Sequence, residues 1–167
     1  MKRIDEKVFI EAYDSYADAL FRYCYFRVYD RERARELMQE TFLKAWEYLH
    51  KGNEIENLRA FLYKVAHNVC VNEAIRSKSV SLDEMRETVG YDPEDKQELS
   101  PERQAEGSLL MERLALLSQT DRETLTLRYV EGLPVAEIAT MLGETPNATS
   151  VRIHRALARL KKEMGTA

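Results

Sequence analysis

The chain has 167 residues, enough for one ordinary domain or two small ones, and carries 25 basic and 29 acidic side chains for a formal net charge of −4. Six glycines and four prolines are few for a chain built on tight β-turns, and the many Leu, Ala, Glu and Arg residues favour helix. The start, "MKRIDEKVFIEAYD", is too charged for a secretion signal, and no apolar run approaches membrane-spanning length; a cytoplasmic protein without stable membrane association of its own is expected.

Cys24 and Cys70 both fall inside apolar helical patterns, and two cysteines are too few for a disulfide framework, so both are read as buried small residues. Between Arg31 and Leu49, residues Ala34, Leu37, Met38, Thr41, Phe42, Ala45, Trp46 and Leu49 repeat by three and four, which makes one helix face core. The opposite face carries Glu36, Gln39, Glu40, Leu43 and Glu47. A leucine in the middle of a polar stripe is often unremarkable, but it also suits docking against another helix.

Asn57 can cap the next helix, "LRAFLYKVAHNVCVNEAIRSK", whose buried stripe is read as Leu62, Val65, Ala66 and Val69. Elsewhere on it Phe61, Tyr63, Lys64, His67, Asn68 and Asn72 mix aromatic, basic and amide groups. Such a mixture fits either ordinary packing or unpaired DNA: aromatic faces stack on bases, cations take phosphates, and amides bond base edges.

Residues 79–107 hold nine acids, three bases, Pro93, Pro101 and two of the six glycines, without sustained periodicity. This stretch reads as a flexible acidic linker. The expected organisation is all-α: a helical domain over 8–78, the linker over 79–107, and a second helical domain over 108–163.

In the second domain Thr120 with Glu123 fits a capping box, and Gly132 closes that helix. Pro134 opens "PVAEIATML", which Gly143 ends; Thr145 then caps a helix with Pro146 at its first position, running to about Met164. Two helices joined by a short turn, the second one basic, describe a helix-turn-helix. From Gly143 to Lys162 there are five Arg and Lys residues and, after Glu144, no acid. Thr149, Ile153, Ala156, Leu157 and Leu160 form its buried stripe. Asn147, Ser150, Val151, His154 and Arg155 face outward, flanked by Arg152, Arg159, Lys161 and Lys162. That is an arrangement for reading a major groove, with cations left for phosphates.

"LRYVEGLPVAEIATMLGETPNATSVRIHRALARL" resembles the promoter-binding C-terminal domain of bacterial sigma factors, above all the compact extracytoplasmic-function (ECF) group. The resemblance implies that Ser150, Val151, His154 and Arg155 contact the −35 promoter element, with Arg152 on the backbone; Asn147 and Arg159 complete that set. Thr149, Ser150 and Val151 stand where the family usually has Val, a base and Ser. "ELMQETFLKAWEYL" is similar to the family segment that binds the clamp helices of the polymerase β′ subunit, which assigns that role to Glu36, Gln39, Glu40, Leu43 and Glu47. "NLRAFLYKVAHNVCVNEAIRSK" resembles the promoter-melting region. By that likeness Phe61, Tyr63, Lys64, His67, Asn68 and Asn72 serve the opened −10 element, Arg76 and Lys78 hold duplex phosphates, and the loop His50–Glu56 lies where the family pockets a flipped base. Phe61 replaces the usual Trp and Asn72 a frequent Asp.

The partners so implied are core RNA polymerase (the β′ clamp helices and the β subunit), promoter DNA in duplex and single-stranded form, and an anti-sigma factor. No catalysis is expected. His50, His67 and His154 are scattered, and no zinc-ligand spacing or Gly-rich phosphate loop occurs, so neither a metal nor a cofactor is expected. Two other classes fit the residues alone: a helix-turn-helix regulator with a dimerising module, and a helical interaction protein.

Overall fold

Six of the seven described helices begin where a short polar side chain takes an otherwise unpaired backbone N–H. In the computed structural model, which describes residues 4–77 and 100–165, Asp5 accepts from the Val8 amide at 2.9 Å and starts α1, Glu6–Val28. Asp30 does the same for α2, Arg31–His50, through the Arg33 amide at 2.9 Å. Asn57 starts α3, Leu58–Ser77, through the Ala60 amide at 3.1 Å, as its position in the sequence suggested. α1 stops at Tyr29, which adopts the left-handed conformation (φ 53°) and lets the chain reverse into α2 within two residues.

The chain divides into two compact units, Met1–Ser81 and Leu82–Ala167. In the first, α1, α2 and α3 pack pairwise around Leu20, Tyr23, Leu37, Phe42, Leu62 and Ala66. Cys24 and Cys70 meet inside this core, Sγ to Sγ at 3.8 Å, both free thiols. Hydrogen bonding with Cys70, together with burial, pushes the Cys24 thiol far above the ordinary range. Trp46 is only half-buried; its ring packs on Phe9 at 5.0 Å and on His50 at 4.3 Å.

The second unit starts earlier than the sequence reading placed it. Ser100 caps α4, Pro101–Ala115, with Pro101 in its first turn, so residues 101–107 are helix and not linker; residues 79–99 lie outside the described residues. The next cap also moves: Ser118, not Thr120, caps α5, Gln119–Leu125, through the Asp121 amide at 3.2 Å. Thr120 sits inside the helix, where its carbonyl accepts from the Thr124 hydroxyl. α5 runs into a π-helical turn, Thr126–Val130, which places Tyr129 and Val130 at the surface. Gly132, at φ 70°, then turns the chain toward α6, Val135–Leu142.

Gly143 (φ 67°) ends α6, and Thr145 caps α7, Pro146–Glu163, through the Ala148 amide at 3.1 Å. α5 and α6 both pack on α7. Leu117, Leu125, Ile153 and Ala156 form the core there, with Leu114, Val135, Leu157 and Leu160 against it. Burying that stripe is what fixes which side of α7 faces water. The described residues contain no strand, and none of their helices is long and apolar enough to cross a membrane.

Candidate polymerase and nucleic-acid interfaces

Packing of α2 against α1 and α3 consumes Ala34, Leu37, Met38, Thr41, Phe42 and Ala45. Helical geometry then leaves Glu36, Gln39, Leu43 and Glu47 exposed on the other side, with Glu40 half-buried among them. Leu43 is 56% exposed, the apolar centre of a polar stripe. Glu36 is paired to Arg33 and Glu40 to Lys44, the latter at 3.5 Å. These are exposed pairs on one helix, of the kind that contribute little to stability.

On α3 the exposed polar side chains form one row, with exposed Ile75 beside its end. Lys64, Asn68, Asn72 and Arg76, each four residues apart, are all exposed. The aromatic residues are not all beside them. Tyr63 is 2% exposed and packs edge-on against Tyr23 at 5.8 Å, so it has no face to offer a base and is withdrawn from the DNA set. α3 touches both α1 and α2, and a helix with two partners buries a wider arc than one stripe. Phe61 is half-buried under Tyr48, ring centroids 4.8 Å apart. Tyr48, exposed and two residues before the loop His50–Glu56, is the aromatic that sequence reasoning passed over; its place on α2 hid its proximity to α3. His67 is half-buried, its Nδ1 3.4 Å from the Tyr23 hydroxyl. Lys78 lies outside the described residues. Arg33 of α2 forks onto Glu73 of α3, with Nε–Oε1 at 2.6 Å and a second contact from the other arm. That hydrogen bond and the guanidinium charge hold the Glu73 carboxyl below its usual range.

The outward face of α7 carries Asn147, Val151, His154 and Arg155, all exposed, and half-buried Ser150, while Thr149, Ile153 and Ala156 are buried as the spacing predicts. Arg152 departs from expectation. Its guanidinium is turned inward onto Glu144, with a further contact to Asp121 of α5 at 3.5 Å. Glu144 also accepts from the Thr149 hydroxyl at 3.1 Å, and the Arg152 bond holds its carboxyl below the usual range. Arg152 is therefore an internal strut, not an open backbone clamp. Arg159 reaches the same Asp121 at 3.2 Å yet stays 66% exposed. Nothing in the local sequence signals these contacts, because Asp121 lies 31 and 38 residues away from its partners.

The helix-turn-helix of one unit and the three-helix unit of the other each match a known family. Residues 12–80 match the family model for Sigma-70 region 2, and residues 108–160 that for Sigma-70, region 4; between them they cover most of the chain. The chain belongs to the ECF group of bacterial RNA polymerase sigma factors. It is similar to the ECF RNA polymerase sigma factor BldN of Streptomyces coelicolor, 30% identical over 159 residues, 90% of this chain but 58% of BldN's length. It is 28% identical to the RNA polymerase sigma factor YlaC of Bacillus subtilis over 156 residues, 92% of this chain and 90% of YlaC. The fold matches that of the sigma factor RpoE from Bartonella quintana, solved in complex with the anti-sigma factor NepR: TM-score 0.75 over 95% of this chain and 98% of RpoE, at 22% identity. As a sigma factor, the chain is a transcription regulator that serves RNA polymerase in promoter recognition and initiation.

Proposed function

We propose that the two units divide the work of promoter use, and that the exposed rows described above are the working surfaces. The α2 stripe Glu36, Gln39, Glu40, Leu43 and Glu47 docks on the β′ clamp helices, with Leu43 as the apolar anchor. On α3, Lys64, Asn68 and Asn72 meet the opened −10 strand, Arg76 holds phosphate, and the Tyr48–Phe61 pair offers the stacking face that buried Tyr63 cannot. The proposed domain boundaries lie near residues 6–77 and 101–163, the extents of the helices in each unit.

On α7, Asn147, Ser150, Val151, His154 and Arg155 read the −35 element in the major groove. Arg155 reaches a guanine edge in bidentate fashion, and Val151 packs on a thymine methyl. The single observation that carries this reading is the one-sided burial of α7, which leaves those five side chains on the face away from the core. The protein performs no catalysis itself and works in the cytoplasm, where its polymerase is. RpoE is held by an anti-sigma protein, and a partner of that class is proposed for this chain as well.

Run-off transcription tests the reading. Added to core polymerase with a library of promoter fragments, the full chain should confer specific initiation. Arg155→Ala should lower use of the preferred promoter by about 1–3 kcal/mol and relax preference at one or two adjacent −35 positions, while initiation on a pre-melted −10 template is unchanged. Specific duplex binding without polymerase, and no initiation with it, would favour a conventional regulator instead.

A further inference from the structure

Two of the five Arg and Lys side chains in the acid-free stretch of α7 converge on one carboxylate that belongs to another helix. Arg152 meets Asp121 Oδ1 at 3.5 Å, and Arg159 meets Oδ2 at 3.2 Å. The two contacts differ in kind. Asp121 is 10% exposed and Arg152 33%, and Arg152 is also gripped by Glu144, so that pair is fixed. Arg159 is 66% exposed and has nothing comparable holding it. It also continues the outward row: Asn147, Val151, Arg155 and Arg159 are spaced by four, along one side of the helix. Its guanidinium therefore has two places to go, inward to Asp121 or outward to a phosphate. Release does not orphan Asp121, which keeps Arg152 and sits in the first turn of α5, where the helix N-terminus favours a negative charge.

From this geometry, and on the reading of α7 as the −35 reader, we infer that Asp121 is a selectivity residue: a built-in substitute for phosphate that withholds Arg159 from DNA unless the duplex is seated closely enough to displace it. A phosphate contact normally strengthens binding to every sequence alike. Withheld by Asp121, the Arg159 contact forms only when Asn147, Val151 and Arg155 are docked on their bases, so it is added to specific binding and absent from non-specific binding. Asp121 touches no DNA; it acts through Arg159.

The test uses holoenzyme assembled from the full chain and core polymerase. Its probes are a duplex selected by that holoenzyme from a library randomised at −35, and the same duplex with −35 scrambled. Affinity is read between 50 and 200 mM salt, where one phosphate contact changes the loss of binding by about threefold to fourfold. Asp121→Asn should tighten binding to the scrambled duplex and steepen its salt dependence by about one contact, narrowing the ratio between the two duplexes. Arg159→Gln should flatten the salt dependence on the selected duplex and leave the scrambled one unchanged. Because Arg159 is mostly exposed, this second variant keeps the fold even where Asp121→Asn loosens it. Equal flattening on both duplexes by Arg159→Gln, or weaker binding to both with Asp121→Asn in a folded protein, overturns the inference. If Arg155→Ala also leaves both affinities untouched, it is the assignment of α7 that fails.

Discussion

Glu73→Gln removes one arm of the charged fork that ties α3 to α2, and its consequence can be worked from the geometry. Arg33 Nε lies 2.6 Å from Glu73 Oε1, the second nitrogen bonds Oε2, and the two side chains are 27% and 14% exposed. An exposed pair would be worth at most about 1 kcal/mol, and truncating one partner of a fully buried pair costs about 3–5. This one is partly buried and bidentate, and glutamine keeps one acceptor, so a loss of about 1–2 kcal/mol is expected. For a unit of this size each kcal/mol lowers Tm by roughly 4–8 °C.

Trp46 is the chain's single tryptophan and lies in the first unit, so its fluorescence follows unfolding of that unit separately from the second. The pH dependence has a fixed sign. The Glu73 carboxyl is held below its ordinary 4.5, so its pairing stabilises the fold fully above that value and is lost as pH falls through the lower folded value. Wild type and Glu73→Gln should therefore differ at pH 7 and converge in acid. A cycle with Arg33→Met should give a coupling clearly above about 0.5 kcal/mol. Additive single mutants, or a gap that persists unchanged into acid, would refute the reasoning.

Two further outcomes follow from burial. Leu37→Ala should cost about 2–5 kcal/mol by Trp46 fluorescence, because Leu37 is 1% exposed, whereas Leu43→Ala should stay within about 0.5 kcal/mol and instead weaken association with core polymerase. Cys24 and Cys70 should resist a thiol-specific disulfide reagent in the native protein and react together once denaturant opens the first unit; rapid native labelling of either would contradict their burial.

Much of the fold was legible because local chemistry and tertiary packing agree. Thr145 followed by Pro146 marks the start of α7 in the sequence, and the Thr145 hydroxyl caps it in space. Asn57 does the same for α3. Legibility fails where two local signals tie or where a partner decides. In "SQTDRE" both Ser118 and Thr120 are followed three residues later by an acid, and only the anchoring of Leu117 in the core selects Ser118. The helix from Pro101 carried its own marks, a serine and then a proline, but the acidic run before it masked them. The burial of Tyr63 was not legible because spacing along α3 cannot show that this helix packs against two others, nor that Tyr23 of α1 covers this ring.

The electrostatics of α7 were legible in sign but not in direction. The absence of acid from Thr145 to Lys162 identifies a surface that lacks its own counter-charges, and a ligand rich in phosphate is one way to supply them. The fold supplies them in another way. Glu144, the last acid before the stretch, bends back onto Arg152, and Asp121, far away in sequence, meets both Arg152 and Arg159. Residue type cannot separate these two uses, since an arginine that braces a domain and one that grips DNA look alike until the carboxylate is located. Arg152, flanked on both sides, is committed to bracing. Arg155 has its place on the exposed face, and Arg159 stands between the two conditions, paired but two-thirds in solvent. On the proposed reading, a helix built this way carries less charge available to arbitrary DNA than its composition suggests, and the difference resides in two carboxylates outside it, Glu144 and Asp121.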